Sequence, residues 1–533
     1  MARAGDIGTM AAWLLAACAV SSPVVEVRGQ PLDREVESLV AQSKLGPVRV
    51  GICVVDTASG RVLAEHNARD SFMPASNMKL LTSGAAVLVL SPDFEFRTTL
   101  FMDNGRLVIK GAGDPALADP VLLEQMHMGV DGLVRALVDG VSAKGVREVR
   151  EVIVDDRVFD RDYIHPSWPK EQLNQWYCAE VSGLNFHTNI LSVFASPATR
   201  PGSTPSIRTE PSADWIELTN KSQTVSTGST SIWLAREAAA NRFTVFGSVR
   251  AALDKPVEVT MHEPALVFGR LVADRLGAAG FRNTDGTSPR ARLADEKDEF
   301  PTAAQAETLA VVRTPLNVVL ERCNVSSHNL YAESLIKRLG HEATGQPGSW
   351  ANGAAVLRMQ LNAKLGPDTD GGGSTVVADG SGLSRENRVT PLLLAQWLRA
   401  MHADKATKDA LLESMPVAGE EGTLKKRFRG KKLGHEVRAK SGFINGVQCL
   451  SGYVVDHDTD RCVAFSVLIN DITPKTPFGK AKELHESVVA TIDKWLTRTS
   501  RSAAEPATSR NDSEGTASPD GKKPRTAASP ARR

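Results

Sequence analysis

The chain has 533 residues, more than one hydrophobic core usually serves, so we expect two or three domains. Apolar residues make up 42% and charged residues 23%, an ordinary composition for a globular protein. The formal net charge of +1 gives no electrostatic reason to expect nucleic acid as a partner, so binding specificity must come from a local site.

The first thirty residues have the pattern of an export signal. Arg3 precedes an apolar run from Met10 to Val20 that is too short to span a bilayer. Small residues around Cys18 fit ordinary signal cleavage, and Cys18 also fits the lipidated first residue of a bacterial lipoprotein. We therefore predict a signal peptide at residues 1–30 and export to the periplasm or cell envelope, with a lipid anchor at Cys18 as one of two open alternatives.

Two hairpins and a terminal helix are predicted at opposite ends of the chain. β-Branched runs between residues 48 and 67 flank a turn at residues 56–60, and residues 447–455 and 461–470 flank a later turn. Apolar residues recur at helical spacing over residues 480–498. Strands early and late, followed by a helix, predict one sheet whose parts meet around a large insertion.

That insertion is rich in short alternating runs separated by Gly, Pro, Asp and Ser, so we expect it to be mainly β, with a helix near residues 264–279. Beyond residue 498 the chain has no large apolar residue and cannot bury enough surface to order itself. The predicted division is 31–96 and 299–498 for the main domain, 97–183 and 258–298 for inserted domain II, 184–257 for nested domain III, and 499–533 for a disordered tail.

Five cysteines follow Cys18 at wide spacings: Cys53, Cys178, Cys323, Cys449 and Cys462. An odd number without a C-x-x-C pair argues against a zinc site or a dense disulfide framework. A late-hairpin turn centred near Asp458 would set Cys462 opposite Val454. We therefore expect buried thiols, and we predict no metal or cofactor, since no H-E-x-x-H or glycine-rich phosphate loop occurs either.

Residues 76–79, Ser-Asn-Met-Lys, carry the first part of a predicted acyl-transfer site. The proline-free apolar pattern from Asn77 to Leu90 places Ser76 at a helix start, where Lys79 lies on the same face three residues later. A serine hydroxyl needs a base, and lysine becomes one when burial or a second cation lowers its pKa. The helix dipole and the Ser76 backbone N–H also favour charge developing on an attacked carbonyl oxygen.

Two later segments supply complementary groups. Ser327-His328-Asn329 opens another helical run, so the Ser327 hydroxyl can relay a proton and the Asn329 amide can bind a substrate peptide group. Lys440-Ser441-Gly442 precedes residues 443–455, a strand pattern. Lys440 offers the second cation, Ser441 a hydroxyl for a substrate carboxylate, and Gly442 a close backbone approach at a sheet edge.

The three segments, in this order, resemble those of the low-molecular-mass class C penicillin-binding proteins, the D-alanyl-D-alanine carboxypeptidase/endopeptidase family. The resemblance covers residues 31–498 and includes five further stretches: 107–115, 154–159, 324–333, 379–385 and 415–419. It implies an α+β fold, in which a penicillin-binding/β-lactamase-like transpeptidase domain, an antiparallel sheet flanked by helices, carries a large, mainly β two-domain insertion.

The resemblance implies that the chain cleaves peptidoglycan stem peptides through an acyl-enzyme and is inhibited by β-lactams. Ser76 is then the nucleophile, Lys79 its base and Ser327 a proton relay. Asn329, Lys440, Ser441 and Gly442 would bind substrate, and the backbone N–H groups of Ser76 and Phe443 would form the oxyanion hole. The oligomeric state does not follow from the resemblance.

Two residues depart from the family pattern: His328 stands where aspartate is usual, and Ser441 replaces threonine. The hydroxyl at 441 is retained, and His328 gives the hypothesis that activity depends on pH near ~6.5. Two other functions share the same segments. A β-lactamase would need a group that activates the deacylating water, and a catalytically silent cell-wall binding protein would keep the site only as a pocket.

Overall fold

The structure, a computed structural model, describes residues 31–301, 305–366, 374–474 and 478–504. The predicted signal peptide and Cys18 lie outside the described residues, as do residues 505–533 of the predicted tail. Residues 499–504 were assigned to that tail, but they continue the last helix, which ends at Ala504. The helix persists because Thr499 accepts a hydrogen bond from Arg461 (2.8 Å) and Ser500 donates one to Asp456 (2.8 Å).

The α-helices of the described residues are α1 (Pro31–Gln42), α2 (Met78–Leu90), α3 (Pro120–Gln125), α4 (Val130–Ala143), α5 (Pro264–Ala278), α6 (Leu316–Asn324), α7 (Asn329–Thr344), α8 (Trp350–Leu365), α9 (Pro391–His402), α10 (Lys405–Glu413) and α11 (Phe478–Ala504).

The strands are β1 (Arg49–Asp56), β2 (Val62–His66), β3 (Glu95–Asp103), β4 (Arg106–Lys110), β5 (Glu151–Asp155), β6 (Ile190–Ser196), β7 (Ser206–Glu210), β8 (Glu217–Asn220), β9 (Gln223–Thr224), β10 (Ser231–Arg236), β11 (Arg242–Val249), β12 (Val257–Thr260), β13 (Arg290–Leu293), β14 (Thr308–Pro315), β15 (Glu436–Ile444), β16 (Val447–Asp456) and β17 (Arg461–Asn470).

A five-stranded antiparallel sheet joins the two ends of the chain in the order β15-β16-β17-β1-β2. Both predicted hairpins are confirmed as β1–β2 and β16–β17. All ten residues of β16 are buried, as expected for an inner strand covered on both faces. Among the described residues, β15 is the edge strand of this sheet; its outer side forms only an isolated bridge, between Arg438 and Val417, so a site can form farther along this side.

Helices cover both faces of this sheet. Apolar residues of α1 and α11, including Val36, Leu484 and Val488, share a buried cluster with Ile52 of β1. Helices α2, α7, α8 and α9 contribute to a second cluster on the other face. The helical spacing predicted for residues 480–498 is confirmed, since it places the apolar side of α11 against the sheet.

The strand predicted over residues 443–455 is wrong, because the segment is a hairpin. β15 runs from Glu436 to Ile444, the chain turns at Asn445-Gly446, and β16 begins at Val447. Gly446 adopts φ +82°, a conformation that glycine reaches without steric cost. Asn-Gly between apolar runs is a strong hairpin signal. Lys440 therefore lies within a strand and not before one.

The predicted register of the late hairpin is also wrong, by one residue. Cys462 pairs with Val455 and not with Val454, because β16 continues to Asp456, which pairs with Arg461 across a four-residue loop. The Asp456 carboxylate accepts hydrogen bonds from the backbone N–H groups of Asp458 (3.1 Å) and Thr459 (3.3 Å), which fixes that loop length. All five cysteines after Cys18 are free and buried, as predicted.

The segment between α2 and α6 forms three further sheets, with strand orders β13-β5-β4-β3-β14, β12-β6-β7 and β10-β11-β8, the short β9 pairing with β11. The helix predicted near residues 264–279 is confirmed as α5, whereas α4 was not predicted. β14 begins after the predicted return to the main domain at residue 299, but it pairs with β3. The exact domain boundaries stay a prediction.

Candidate active site

Ser76 lies at the start of the buried helix α2. A short 3₁₀ helix, Ala75–Asn77, leads directly into α2, so the hydroxyl is held at a helix start as the pattern indicates. Ala75 has φ +44°, an unfavourable value for a residue with a side chain. A distant segment of the same chain packs tightly against this residue: a Cβ on Gly382 would lie 1.8 Å from the Ala75 carbonyl oxygen. Tertiary packing therefore fixes the backbone that carries Ser76.

Lys79 is buried and hydrogen-bonded on three sides. Its Nζ lies 3.2 Å from Ser76 Oγ, 2.7 Å from Asn329 Oδ1 and 3.0 Å from the Ser381 carbonyl oxygen. A neutral lysine has two N–H donors and one lone pair. The two oxygens that can only accept would take the N–H donors, which leaves the lone pair facing the serine hydroxyl. This is the geometry that a general base requires.

Burial lowers the pKa of Lys79 to about 8, although Cys323, Glu333 and Asp379 act in the opposite direction. Lys440 is also fully buried, and its pKa lies well below the ordinary value because of burial and the nearby positive charge of Lys79. Two lysines in one dry site thus favour neutral amines. Lys440 thus lies near Lys79, but burial, and not a positive charge on Lys440, accounts for the lowered pKa of Lys79.

Ser327 connects the second and third segments. Lys440 Nζ donates to Ser327 Oγ at 2.8 Å and to the Ser441 carbonyl oxygen at 2.7 Å. Ser327 lies in the turn before α7 with φ +60°, a strained conformation that aims its hydroxyl at Lys440. Ser327, Lys440 and the Ser76–Lys79 pair thus meet in one region.

The remaining predicted residues border the same region. Asn329 donates to the Tyr177 carbonyl oxygen at 2.9 Å while accepting from Lys79, and its amide keeps further hydrogen-bonding capacity on both atoms. Asn77 Nδ2 donates to the Lys440 carbonyl oxygen at 2.7 Å, tying β15 to the 3₁₀ helix. A Cβ on Gly442 would lie only 3.0 Å from the Pro74 carbonyl oxygen, so glycine allows this close approach.

His328 does not support the hypothesis of pH dependence near ~6.5. Its ring is buried, and burial together with the charge of Arg322 lowers its pKa to about 3. The imidazole is thus neutral near pH ~6.5. It lies against Trp176 and Tyr331, with ring centroids 5.4 and 5.1 Å away, which indicates a packing role.

Two residues that support the site were not singled out from the sequence. The buried Glu333 carboxylate accepts from the backbone N–H groups of Gly380 (2.9 Å) and Ser381 (2.9 Å), and so holds the Ser381 carbonyl oxygen against Lys79. The stretch 379–385 was noted only as similar to the family. A backbone carbonyl is common to every residue type, so no sequence pattern could indicate that Ser381 would use it.

A buried ion pair supports the turn that carries Ser327. Arg322 Nη2 lies 2.7 Å from the Asp119 carboxylate, and Arg322 Nη1 donates to Ser326 Oγ at 2.8 Å. Asp119 also accepts from the Tyr331 hydroxyl of α7. Burial would raise the pKa of Asp119, but the Arg322 charge and the hydrogen bonds from Tyr331 and Arg322 together lower it, and the net shift is downward. Breaking such a pair leaves a charge buried without compensation.

We expect Asp119→Asn to destabilise the protein by about 3 kcal/mol, because it keeps the volume but leaves Arg322 without its counter-ion. Urea unfolding followed by circular dichroism measures the change. Asp131→Asn is the matched control: Asp131 pairs with Arg275 at the same 2.7 Å, but its side chain is 61% exposed. The control should cost under about 1 kcal/mol. Equal losses in both variants would contradict the structural role of Asp119.

An antiparallel sheet covered by helices, with a serine at the start of a buried helix and two buried lysines beside it, defines the penicillin-binding and β-lactamase-like class of serine hydrolases. Within that class the chain belongs to the D-Ala-D-Ala carboxypeptidase 3 (S13) family, which matches residues 32–494. The chain is thus a serine peptidase of the carboxypeptidase type, and the family resemblance and the α+β fold are confirmed.

Individual relatives agree with this assignment. The D-alanyl-D-alanine carboxypeptidase of Actinomadura sp. (strain R39) is 31% identical over 472 residues, which covers 84% of this chain and 82% of the relative. Carboxypeptidase DacB of Mycolicibacterium smegmatis is 26% identical over 466 residues, covering 85% and 83%. The crystal structure of penicillin-binding protein 4 from Haemophilus influenzae superposes with a TM-score of 0.68 at 22% identity, over 87% of this chain and 98% of the other, and so shares its fold.

Proposed function

We propose that the chain removes the terminal D-alanine from peptidoglycan stem peptides, or cleaves D-alanine crosslinks between them, through an acyl-enzyme on Ser76. The observation that carries the proposal is the contact of Lys79 Nζ with Ser76 Oγ at 3.2 Å, in a buried site that also holds Lys440. A hydroxyl beside a neutral amine is an activated nucleophile. Membership of a D-Ala-D-Ala carboxypeptidase family supports the substrate class.

In the proposed acylation, Ser76 Oγ attacks the carbonyl carbon of the penultimate D-alanine and its proton passes to Lys79 Nζ. The oxyanion accepts from the backbone N–H groups of Ser76 and Phe443. As the C–N bond breaks, the proton that Lys79 received passes to the leaving amine through Ser327 Oγ, which Lys440 contacts at 2.8 Å. Water then attacks the ester, releases the shortened peptide and restores the Ser76 hydroxyl.

Substrate binding is assigned to groups that line the same region. Asn329 would bind a peptide group of the substrate, and Ser441 and Lys440 would interact with its carboxylate. Gly442 lets the β15 backbone approach the 3₁₀ helix that carries Ser76. No step of this mechanism needs a metal ion or cofactor.

A β-lactam should acylate Ser76 because its amide presents the same carbonyl to the nucleophile. The Haemophilus influenzae protein of this fold has been crystallised with a β-lactam. We further propose that the chain acts outside the cytoplasm, in the periplasm or cell envelope, after removal of residues 1–30 or through lipidation of Cys18. Within the described ranges, no helix has the length and apolar character needed to cross a membrane.

Mass analysis of muropeptides after incubation with the purified protein tests the proposal. Loss of one alanine from pentapeptides indicates carboxypeptidase activity, and conversion of crosslinked dimers to monomers indicates endopeptidase activity. Fluorescent penicillin distinguishes the peptidase from the two alternative functions. Stable labelling supports the peptidase, and rapid turnover of the penicillin supports a β-lactamase. Absence of labelling supports a catalytically silent binding protein.

The rate of acylation should rise with pH through about 8. Only neutral Lys79 can accept the Ser76 proton, and its pKa is about 8, so the active form increases as the pH rises through that value. Stopped-flow labelling with fluorescent penicillin from about pH 6 to about pH 9 measures this increase in the acylation rate with pH. Unfolding curves at the same pH values provide the control. A rate that falls over this range while the protein stays folded would contradict a base role for Lys79.

A further inference from the structure

A cavity of about 350 Å³ opens beside the edge strand β15. Its lining includes Ser441, Gly442 and Phe443 of β15 together with Arg427, Lys482 and His485. The volume is in the range of small-ligand sites. Ser441 and Gly442 also belong to the candidate active site, so the cavity shares these two residues with the region where the substrate's carboxylate is expected.

His485 is a buried polar group without a hydrogen-bond partner. The residue is 1% exposed, and neither Nδ1 nor Nε2 has a partner among the described residues. Burial, with the charges of Arg427 and Lys482, holds the pKa of His485 well below its ordinary value, so the ring is neutral and carries one N–H donor. A buried N–H donor normally has a hydrogen-bond acceptor from the protein or from water. Because His485 lines the cavity, a bound molecule there could supply that acceptor.

The charge of the lining is positive. Arg427 and Lys482 contribute two cations, and no carboxylate residue lines the cavity among the described residues. Glu486 lies 2.6 Å from Arg427 Nε and neutralises one of these charges. Lys482 and His485 stand three residues apart on α11, so their polar groups project from the same side of the helix.

We propose that this cavity is a carboxylate-binding subsite for the leaving group of the substrate, with Lys482 and His485 as specificity-determining residues. An ammonium, a guanidinium and a neutral N–H around one space suit a carboxylate, which accepts hydrogen bonds through both oxygens. The Ser441 hydroxyl in the same lining adds a further donor. The inference rests on the proposed function, since it places the leaving D-amino acid on this side of the scissile bond.

The test is a binding measurement in a protein that cannot turn over. Ser76→Ala protein, with and without Lys482→Gln, is titrated with N-acetyl-D-Ala-D-Ala and with its C-terminal carboxamide. Lys482→Gln should raise the Kd of the carboxylate ligand about tenfold, the scale of one lost charge-assisted hydrogen bond, and leave the Kd of the carboxamide nearly unchanged. Lys494→Gln, an exposed lysine on the same helix and outside the lining, is the matched control.

His485→Leu separates ligand binding from a structural role. Because the imidazole has no partner in the described residues, an apolar replacement of similar size should preserve the unfolding midpoint while weakening carboxylate binding. In otherwise unaltered protein, Lys482→Gln should raise KM for the carboxylate substrate with little change in kcat. Unchanged carboxylate affinity in folded Lys482→Gln and His485→Leu proteins would overturn the subsite. Failure of penicillin to label Ser76 would instead overturn the proposed function.

Discussion

Ser76→Ala should abolish covalent labelling by fluorescent penicillin and reduce peptide hydrolysis by about 10⁵-fold or more, the scale seen when a serine nucleophile is removed. The reason is that the acyl-enzyme needs an oxygen at this position, and Ser76 supplies the hydroxyl that Lys79 Nζ contacts at the start of α2. Gel fluorescence after denaturation measures covalent labelling, and mass analysis of the peptide products measures hydrolysis.

Ser83→Ala is the control for that experiment. Ser83 lies on α2 and is fully buried, but its Oγ accepts a hydrogen bond from Asn324 Nδ2 at 3.1 Å, whereas the Ser76 hydroxyl is the one that lies beside Lys79 Nζ. Labelling should therefore survive in Ser83→Ala. Stable labelling in Ser76→Ala would show that another residue is acylated and would remove Ser76 from its proposed role.

Lys79→Met should slow acylation by about 10²- to 10⁴-fold, the usual contribution of a positioned base. Methionine has a similar length but no amine, so Ser76 Oγ loses the group that lies 3.2 Å away. Lys79→Arg should be impaired to a similar degree, because the guanidinium keeps the positive charge but cannot accept a proton. The observed rate constants of penicillin labelling provide the measurement.

Stability must be measured beside the rate, because Lys79 is fully buried. Lys337→Met is a useful contrast. Lys337 is equally buried, but its Nζ pairs with the Asp160 carboxylate at 2.6 Å and not with Ser76. Lys337→Met should lower the free energy of unfolding and leave the acylation rate within about tenfold of the unaltered protein, since only structure is disturbed. Rapid acylation in folded Lys79→Arg would indicate that charge alone, and not proton transfer, is what position 79 supplies.

Local patterns were predictable where one short segment contained all the information. The Ser76–Lys79 contact follows from helical periodicity, and the hairpin β1–β2 follows from two β-branched runs and one turn. The Asn445-Gly446 turn was equally local, but the prediction of one strand over residues 443–455 overlooked it. The register of Cys462 depended on a loop one residue longer, which the side chain of Asp456 fixes.

Supporting interactions were not predictable, because they join segments far apart in the chain. Ser381 reaches Lys79 through a backbone oxygen, and Asp119 reaches Arg322 across 203 positions. Arg427 and Lys482 line one cavity only because α11 packs against β16 and β17 of the sheet. The residue types alone do not indicate that these distant residues come into contact.

The sequence by itself determined the family, the candidate nucleophile and its base, because these depend on residue types at fixed short spacings. The tertiary structure alone decided which protonation states the buried lysine and histidine side chains adopt. Burial brings the pKa of Lys79 to about 8, makes His328 neutral and leaves His485 without a partner beside a cationic cavity. A pKa depends on how much water and which charges surround a group, and both are set by packing between distant parts of the chain.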